Sequence, residues 1–147
     1  MKSEPHEPAE RPAFVVRERV RWSDVDAAGI IYFGAYTRFT DIAESEFYRS
    51  LGFTYAHFRE TGIALPRVHV AFDFFKPAFL DDELTMGVRV GGVGVHSVRL
   101  HIDAFRETDR ALLAEATLVV ASIDSSRKSV ALPDAFANAL RAHLAPA

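Results

Sequence analysis

The chain has 147 residues, 49% of them hydrophobic, which is material for one packed domain of ordinary size. Its formal charge is −3 and its 17 basic residues are scattered, so it lacks the basic stripe that nucleic acid requires of a partner. With no cysteine it has no disulfide, no thiolate metal site and no cysteine nucleophile, and a reducing, cytoplasmic setting is expected.

The opening MKSEPHEPAERP combines three prolines and five charges with no apolar run. Residues 1–12 therefore read as a disordered lead-in, with neither a secretion signal nor a membrane span. Residues 13–147 read as a single domain, without internal repeat or linker.

Phe14 to Trp22 alternates, with Phe14, Val16, Val20 and Trp22 on one face and Arg17, Arg19 and Arg21 on the other. That period of two predicts a half-buried strand, in which Glu18 is the odd member of the apolar face. Ser23 to Gly29 follows as a loop rich in breakers. A helix is predicted from about Ala35 to Leu51, because Tyr36, Phe39, Ala43 and Phe47 recur at spacings of three and four, and Ile42 widens that face. Gly52 is its stop. A shorter helix is expected from a Thr54 cap to Gly62.

From Val68 to Ile123 the pattern is of strands. Val68, Val70, Phe72 and Phe74 form one apolar face, and Leu84, Met86, Val88 and Val90 the next. The chain turns at Gly91-Gly92-Val93-Gly94, and Val98, Leu100, Ile102 and Ala104 form a third face. After a turn at Thr108-Asp109 comes a fourth strand, Ala114 to Ile123; Ser125 to Lys128 then turns into a short strand at Val130 to Leu132. Pro133 opens a closing helix carrying Phe136, Leu140 and Leu144. A long helix needs a surface for its apolar stripe, and the sheet is the large surface available. The expected fold is α+β, a curved antiparallel sheet wrapped around one helix, the hotdog arrangement.

The chemistry concentrates in Asp24-Val25-Asp26-Ala27-Ala28-Gly29. Two carboxylates here lie between a strand and a helix start. A helix N-terminus offers unpaired N–H groups and partial positive charge, suited to a developing oxyanion. A neighbouring carboxylate can attack a carbonyl or direct a water to it. Taken alone, however, Asp-x-Asp before a glycine reads as a turn whose aspartates bond local backbone.

The wider segment, Arg21-Trp22-Ser23-Asp24-Val25-Asp26-Ala27-Ala28-Gly29-Ile30-Ile31-Tyr32-Phe33 with Tyr36 and Asp41 downstream, resembles the signature of the 4-hydroxybenzoyl-CoA thioesterase family. Weaker likenesses continue through Phe75-Lys76-Pro77-Ala78, Asp82-Glu83-Leu84 and Leu132-Pro133-Asp134-Ala135-Phe136, so the resemblance spans about Phe14 to Phe136. It implies an acyl-CoA thioesterase acting on an aromatic or short-to-medium-chain acyl group. Asp26 would be the catalytic carboxylate, either as a nucleophile forming an acyl anhydride or as a general base. The resemblance also implies that the backbone amide of Phe33 polarises the thioester oxygen, with Gly29, Tyr36 and Asp41 around the substrate. No cofactor is implied beyond the coenzyme A of the substrate, and no metal. A homodimer or a tetramer (dimer of dimers) is expected, with the acyl cleft at the subunit interface.

Two departures from the family bear on the substrate. The basic cluster that contacts CoA phosphates in one branch is replaced by Gly91-Gly92-Val93-Gly94-Val95-His96, and the histidine of another branch is replaced by Phe33. Elsewhere, His69 reads as structural, and His57, His96, His101 and His143 lack metal-ligand spacing. Asp41 and Glu44 read as a solvated or interface face, with Asp41 able to reach a neighbouring acyl pocket. Phe72, Phe74, Phe75 and Phe79 read as core, or else as an acyl channel. Asp24 reads as a loop organiser. The rival functions are a hotdog dehydratase, whose His-Phe-Pro motif is absent, and a non-catalytic acyl-CoA-binding protein.

Overall fold

The computed structural model describes residues 12–144; the lead-in expected over residues 1–12 lies outside the described residues except for Pro12. Five strands, β1 (Phe14–Arg19), β2 (Arg67–Phe74), β3 (Glu83–Val93), β4 (Ser97–Arg106) and β5 (Leu112–Ala121), form one antiparallel sheet in the order β1-β3-β4-β5-β2. Three helices accompany it, α1 (Tyr36–Ser50), α2 (Tyr55–Thr61) and α3 (Asp134–Arg141).

Register explains how the sheet makes a core. Phe14 pairs with Val88, Val88 with Ile102, Ile102 with Ala116 and Ala116 with Phe72, so one row of apolar side chains crosses all five strands. Side chains alternate between the two faces of a strand, so this row and its neighbours all point to one side. There they meet the stripe of α1, whose Tyr36, Phe39, Ala43 and Phe47 are each at most 3% exposed. Small residues, Ala104, Ala114 and Ala116, lie where the rings of Tyr36 and Phe39 descend onto the sheet. Fully burying a Phe or Leu stabilises by about 1.5–3 kcal/mol, so this interdigitation holds the helix down.

The helix boundaries follow the sequence closely. Gly52 adopts φ 92°, its N–H bonds the Arg49 carbonyl at 2.9 Å, and the Phe53 N–H bonds that of Tyr48 at 2.9 Å. This pair of bonds closes α1. Thr54 caps α2, its hydroxyl accepting from the His57 amide at 3.3 Å, and Gly62 ends it at φ 72°.

Other expectations need correction. The first strand stops at Arg19 and the chain coils into a tight turn at Trp22–Asp24, which leaves Trp22 80% exposed rather than on the buried face. β3 continues through Gly91 and Gly92 to Val93 with a bulge after Val90, so the reversal falls just beyond, at Gly94 to His96. Val130 to Leu132 is not a strand: the Val130 amide goes to Ser122 and the Leu132 amide to Val95, two different segments. α3 ends at Arg141, leaving Leu144 outside it and 40% exposed.

Candidate active site

The loop between β1 and α1 carries both aspartates and treats them oppositely. Asp24 turns inward and is 2% exposed. Its carboxylate accepts from Arg38 Nε at 2.9 Å, from a second Arg38 nitrogen at 2.5 Å, and from the Arg21 amide at 2.8 Å. Burial pushes this carboxyl up, but the Arg38 guanidinium and the Arg21 amide outweigh it and hold the group below its ordinary 3.8. Arg38 also meets Glu18 at 3.3 Å, so the odd acid on the apolar face of β1 is the second partner of this cation. Asp24 is therefore the loop organiser, clamped to the first turn of α1.

Asp26 points outward and is exposed. A bridge between Val25 and Ile31 closes the loop, inside which the Gly29 N–H bonds the Asp26 carbonyl at 3.0 Å. Gly29 takes φ 76°, a left-handed conformation that glycine adopts at little cost. Asp26 Oδ1 accepts from the Ala28 amide at 2.8 Å and more distantly from that of Ile30 at 3.4 Å. Its other carboxylate oxygen receives no protein donor among the described residues. The loop is docked by the Gly29 carbonyl accepting from Leu80 N–H at 3.0 Å and by Ile31 N–H donating to Ala78 at 2.9 Å.

A short turn at Phe33–Ala35 then leads into α1, and no side chain caps either start. The Phe33 and Gly34 amides find no acceptor among the described residues. A Cβ on Gly34 would lie 2.9 Å from the half-exposed Tyr32 ring, which would have to turn aside to admit a larger residue. Two free N–H groups at the start of a 15-residue helix make a positively polarised spot. The Phe33 ring itself is 77% exposed.

Phe33 and Tyr36 line a cleft of about 320 Å³ with Ile30, Ile31, Phe74 and Lys76. Tyr36 is 3% exposed and its hydroxyl has no hydrogen-bond partner among the described residues. Burial pushes its phenol up to about 12, against the opposing pull of Arg106. The Phe72 and Phe74 rings stack on one another 5.9 Å apart, and Phe74 lies 5.5 Å from Tyr36. Phe72 packs against the core, while Phe74 and Phe79 are half exposed. Phe74 and Phe75 thus line the cleft and Phe72 belongs with the core, while Phe79 is not among the cleft's lining residues.

Of the residues expected at the site, Phe33 and Tyr36 line this cleft; Asp26 and Gly29 sit in the loop just before it and are not among its lining residues, and neither is Asp41. Asp41 lines a second cavity of about 490 Å³ between α1, α2 and the start of β2. There Arg67 binds Asp41 at 2.8 Å and also engages Glu44, which in turn accepts from the Tyr48 hydroxyl at 2.8 Å. Glu44 is 4% exposed, so of the two alternatives, a solvated or an interface face, the solvated one does not hold for it: a partner from β2, 23 positions on, buries it. Arg38 and Arg67 were both missed by sequence reasoning. Glu18 on an apolar face was the one available sign of Arg38; nothing local pointed to Arg67. No group of three or more metal-ligating side chains occurs among the described residues.

The model of the Thioesterase-like superfamily matches residues 20–140. The acyl-CoA thioesterase YbgC of Haemophilus influenzae is 32% identical over 117 residues, covering 78% of this chain and 85% of that protein. A 1,4-dihydroxy-2-naphthoyl-CoA hydrolase of Acaryochloris marina is 35% identical over 105 residues, covering 67% and 74%. The crystal structure of Slr0204, a 1,4-dihydroxy-2-naphthoyl-CoA thioesterase from Synechocystis, superposes with a TM-score of 0.82 at 26% identity, over 87% of this chain and 95% of that one. With its sheet, long helix and strand order, the chain belongs to the thioesterase-like superfamily and is a hotdog-fold thioester hydrolase.

Proposed function

We propose that the protein hydrolyses an aromatic or short-to-medium-chain acyl-CoA to the free acid and coenzyme A, with Asp26 as its catalytic carboxylate. The observation that carries this is one loop presenting two complementary groups: a carboxylate oxygen without a protein donor at Asp26, and amides at Phe33 and Gly34 without an acceptor, among the described residues. The amides stabilise the oxyanion that forms when the thioester carbonyl is attacked. Asp26 supplies the attack in one of two ways. As nucleophile it displaces the CoA thiolate and forms a mixed anhydride that water opens; as base it takes the proton of a water that attacks directly. Both routes need the same oxygen, and the Ala28 hydrogen bond to Oδ1 holds the carboxylate in place for either. Neither step calls for a metal or an organic cofactor.

The working form is a homodimer or a dimer of dimers built on β2. β1, the other sheet edge, is lined by Arg17 and Arg19, which ion-pair with Glu83 and Glu107. β2 instead exposes Val68, Val70 and Phe74, at 62%, 43% and 50%. An apolar edge of this kind invites strand pairing, and a two-fold axis is the common way to close it. An axis near Val70 would set the Phe74 end of one β2 beside the Arg67 end of the other. The partner's Asp41 would then approach the cleft beside Phe33, which gives Asp41 a substrate-facing role in trans. The absence of cysteine and the use of acyl-CoA favour the cytoplasm, and no helix among the described residues is long and apolar enough to cross a membrane.

Turnover of a panel of acyl-CoA esters by the wild type and by Asp26→Asn tests the activity, and the same assay separates an enzyme from a non-catalytic acyl-CoA binder. Light scattering tests the assembly. A species of only about 16 kDa at micromolar concentration, against the chain mass of 16.3 kDa, would overturn both the dimer and the shared site.

A further inference from the structure

Attack on a thioester builds negative charge twice, first on the carbonyl oxygen and then on the sulfur that leaves. The proposed roles of Asp26 and of the Phe33 and Gly34 amides cover the first charge and leave the second unmet. A cation beside the breaking C–S bond would meet it.

Lys76 is the one charged side chain that lines the cleft shared by Phe33 and Tyr36. It is exposed, and its ammonium has no acceptor among the described residues. Arg106, by contrast, is already bonded to Asp82, Asp109 and the Pro77 carbonyl. The backbone that carries Lys76 is firmly held. The Phe75 and Lys76 amides both donate to the Leu113 carbonyl, at 2.8 and 3.2 Å. Arg106 donates to the Pro77 carbonyl at 2.6 Å, and the Ala78 carbonyl accepts the Ile31 amide at 2.9 Å. Pro77 also disfavours a helical backbone at Lys76. The Ile31 bond is one of those that dock the Asp26 loop, so the lysine and that loop hang from the same short segment. β2 ends at Phe74, which puts Lys76 beyond the strand that the dimer would pair.

We propose that Lys76 is a catalytic residue whose ammonium stabilises the coenzyme A thiolate as the C–S bond breaks. This rests on the cleft and the Asp26 loop being the thioesterase site. In the nucleophile route the bond from the Asp26 oxygen to the carbonyl carbon forms, the C–S bond breaks and its electron pair stays on sulfur. In the base route a water oxygen makes the new bond and its proton goes to Asp26, with the same fate for the sulfur. Thiols are stronger acids than alkylammonium ions, so the lysine acts as a counter-charge and not as a proton donor. The other walls, Ile30, Ile31, Phe75 and Pro77 among them, are apolar, which makes one charge count for more than it would in water. The phosphates of coenzyme A lie at the far end of the pantetheine arm from the sulfur, whereas Lys76 shares its cleft with the residue whose amide meets the carbonyl.

The test uses benzoyl and butanoyl thioesters of three thiols: coenzyme A, N-acetylcysteamine, which carries no phosphate, and thiophenol, whose ring stabilises the sulfur anion. Wild type, Lys76→Met and Lys76→Arg are compared on each. Lys76→Met should lose about tenfold or more in kcat/KM on the coenzyme A and N-acetylcysteamine esters, a modest loss for a charge-stabilising group because the lysine is exposed. Lys76→Arg keeps the charge and should recover most of it. On the thiophenyl esters the loss should largely vanish. An equal loss on alkyl and aryl thioesters overturns the proposal. A loss confined to the coenzyme A esters also overturns it, since Lys76 would then hold a phosphate. Light scattering on Lys76→Met should give the wild-type assembly, and dissociation overturns the proposal by making Lys76 a contact between copies. These failures leave the thioesterase assignment standing. Absence of turnover of every ester by the wild type overturns that assignment, and this proposal falls with it.

Discussion

The inner and outer sides of the β1–α1 loop are built from the same residue types and differ in how completely their polar groups are matched. On the inner side the Asp24 carboxylate accepts three hydrogen bonds, and Arg38 joins it to Glu18 and α1. On the outer side, two positions on, Asp26 keeps an oxygen without a protein donor among the described residues, and Phe33 and Gly34 keep amides without an acceptor among them. A saturated network fixes position and has nothing left to give a substrate. An unsaturated one sits in water until something displaces the solvent. The matched side therefore holds the unmatched side in place.

Asp26→Asn breaks this comparison most sharply. The amide is nearly isosteric and keeps an acceptor for the Ala28 N–H, so the loop should persist. It is neither nucleophile nor base, and loss of a general base is worth about 10²–10⁴ in rate, or roughly 3–5 kcal/mol of barrier. Steady-state kcat on the best acyl-CoA measures it. A folded Asp26→Asn within about tenfold of wild type would remove Asp26 from the chemistry, because roughly 1.4 kcal/mol is too small for that role. Asp24→Asn makes the opposite expectation: it should cost stability, and kcat per folded molecule much less.

The inner side can be tested through stability. Arg38→Gln leaves the Asp24 carboxylate buried without its cation, which costs about 3–5 kcal/mol when a buried pair is broken one-sidedly. Denaturant unfolding should show it. The pH dependence carries the same information. Burial alone would raise Glu18 and Asp24, but backbone amides and the arginines, Arg38 foremost for Asp24, hold both below their ordinary 4.5 and 3.8. A carboxyl lowered by folding stabilises above its unfolded value and loses that contribution as pH falls through the folded one. Wild-type Tm should therefore drop on acidification below about pH 4.5, and the drop should be shallower in Arg38→Gln. Equal acid sensitivity in the two proteins would show that the clamp is not what acid breaks.

The same contrast explains what was legible in the sequence. α1 was readable to within a residue at each end because its stripe of Tyr36, Phe39, Ala43 and Phe47 and its Gly52 stop are local signals. The strands were readable from their alternation, β2 to within a residue, while β3 runs on into the glycines expected to turn and β5 starts and ends two residues earlier than expected. Reading failed where a long-range contact overrides a local pattern. Trp22 continued an alternation on paper, but the Val20 amide goes to Asp82 and the chain coils away from the sheet. Glu44 read as part of a solvated or interface face, and nothing local showed that Arg67 reaches it from β2. The motif around Asp26 marked the candidate site. Which of its groups are left unbonded depends on how Gly29 and Ile31 dock on the segment from Ala78 to Leu80, and no local pattern states that.

The smallest expected effect is at Phe33, where the comparison turns on backbone against side chain. The proposed contribution of this residue is its N–H, free because it opens the turn that leads into α1. Its ring is 77% exposed and packs little in one chain. Phe33→Leu keeps the amide, and both residues are acceptable in such a turn. Loss of an oxyanion donor typically costs about 10²–10³ in kcat, so a variant that retains the donor should stay well above that loss. The expected result is appreciable thioesterase activity, with any change falling mainly on KM as ring contact with the acyl group is altered. A Phe33→Leu enzyme as inactive as Asp26→Asn, yet folded, would mean that the ring and not the amide meets the reacting thioester. The oxyanion assignment at the start of α1 would then be wrong, even with Asp26 confirmed as the catalytic carboxylate.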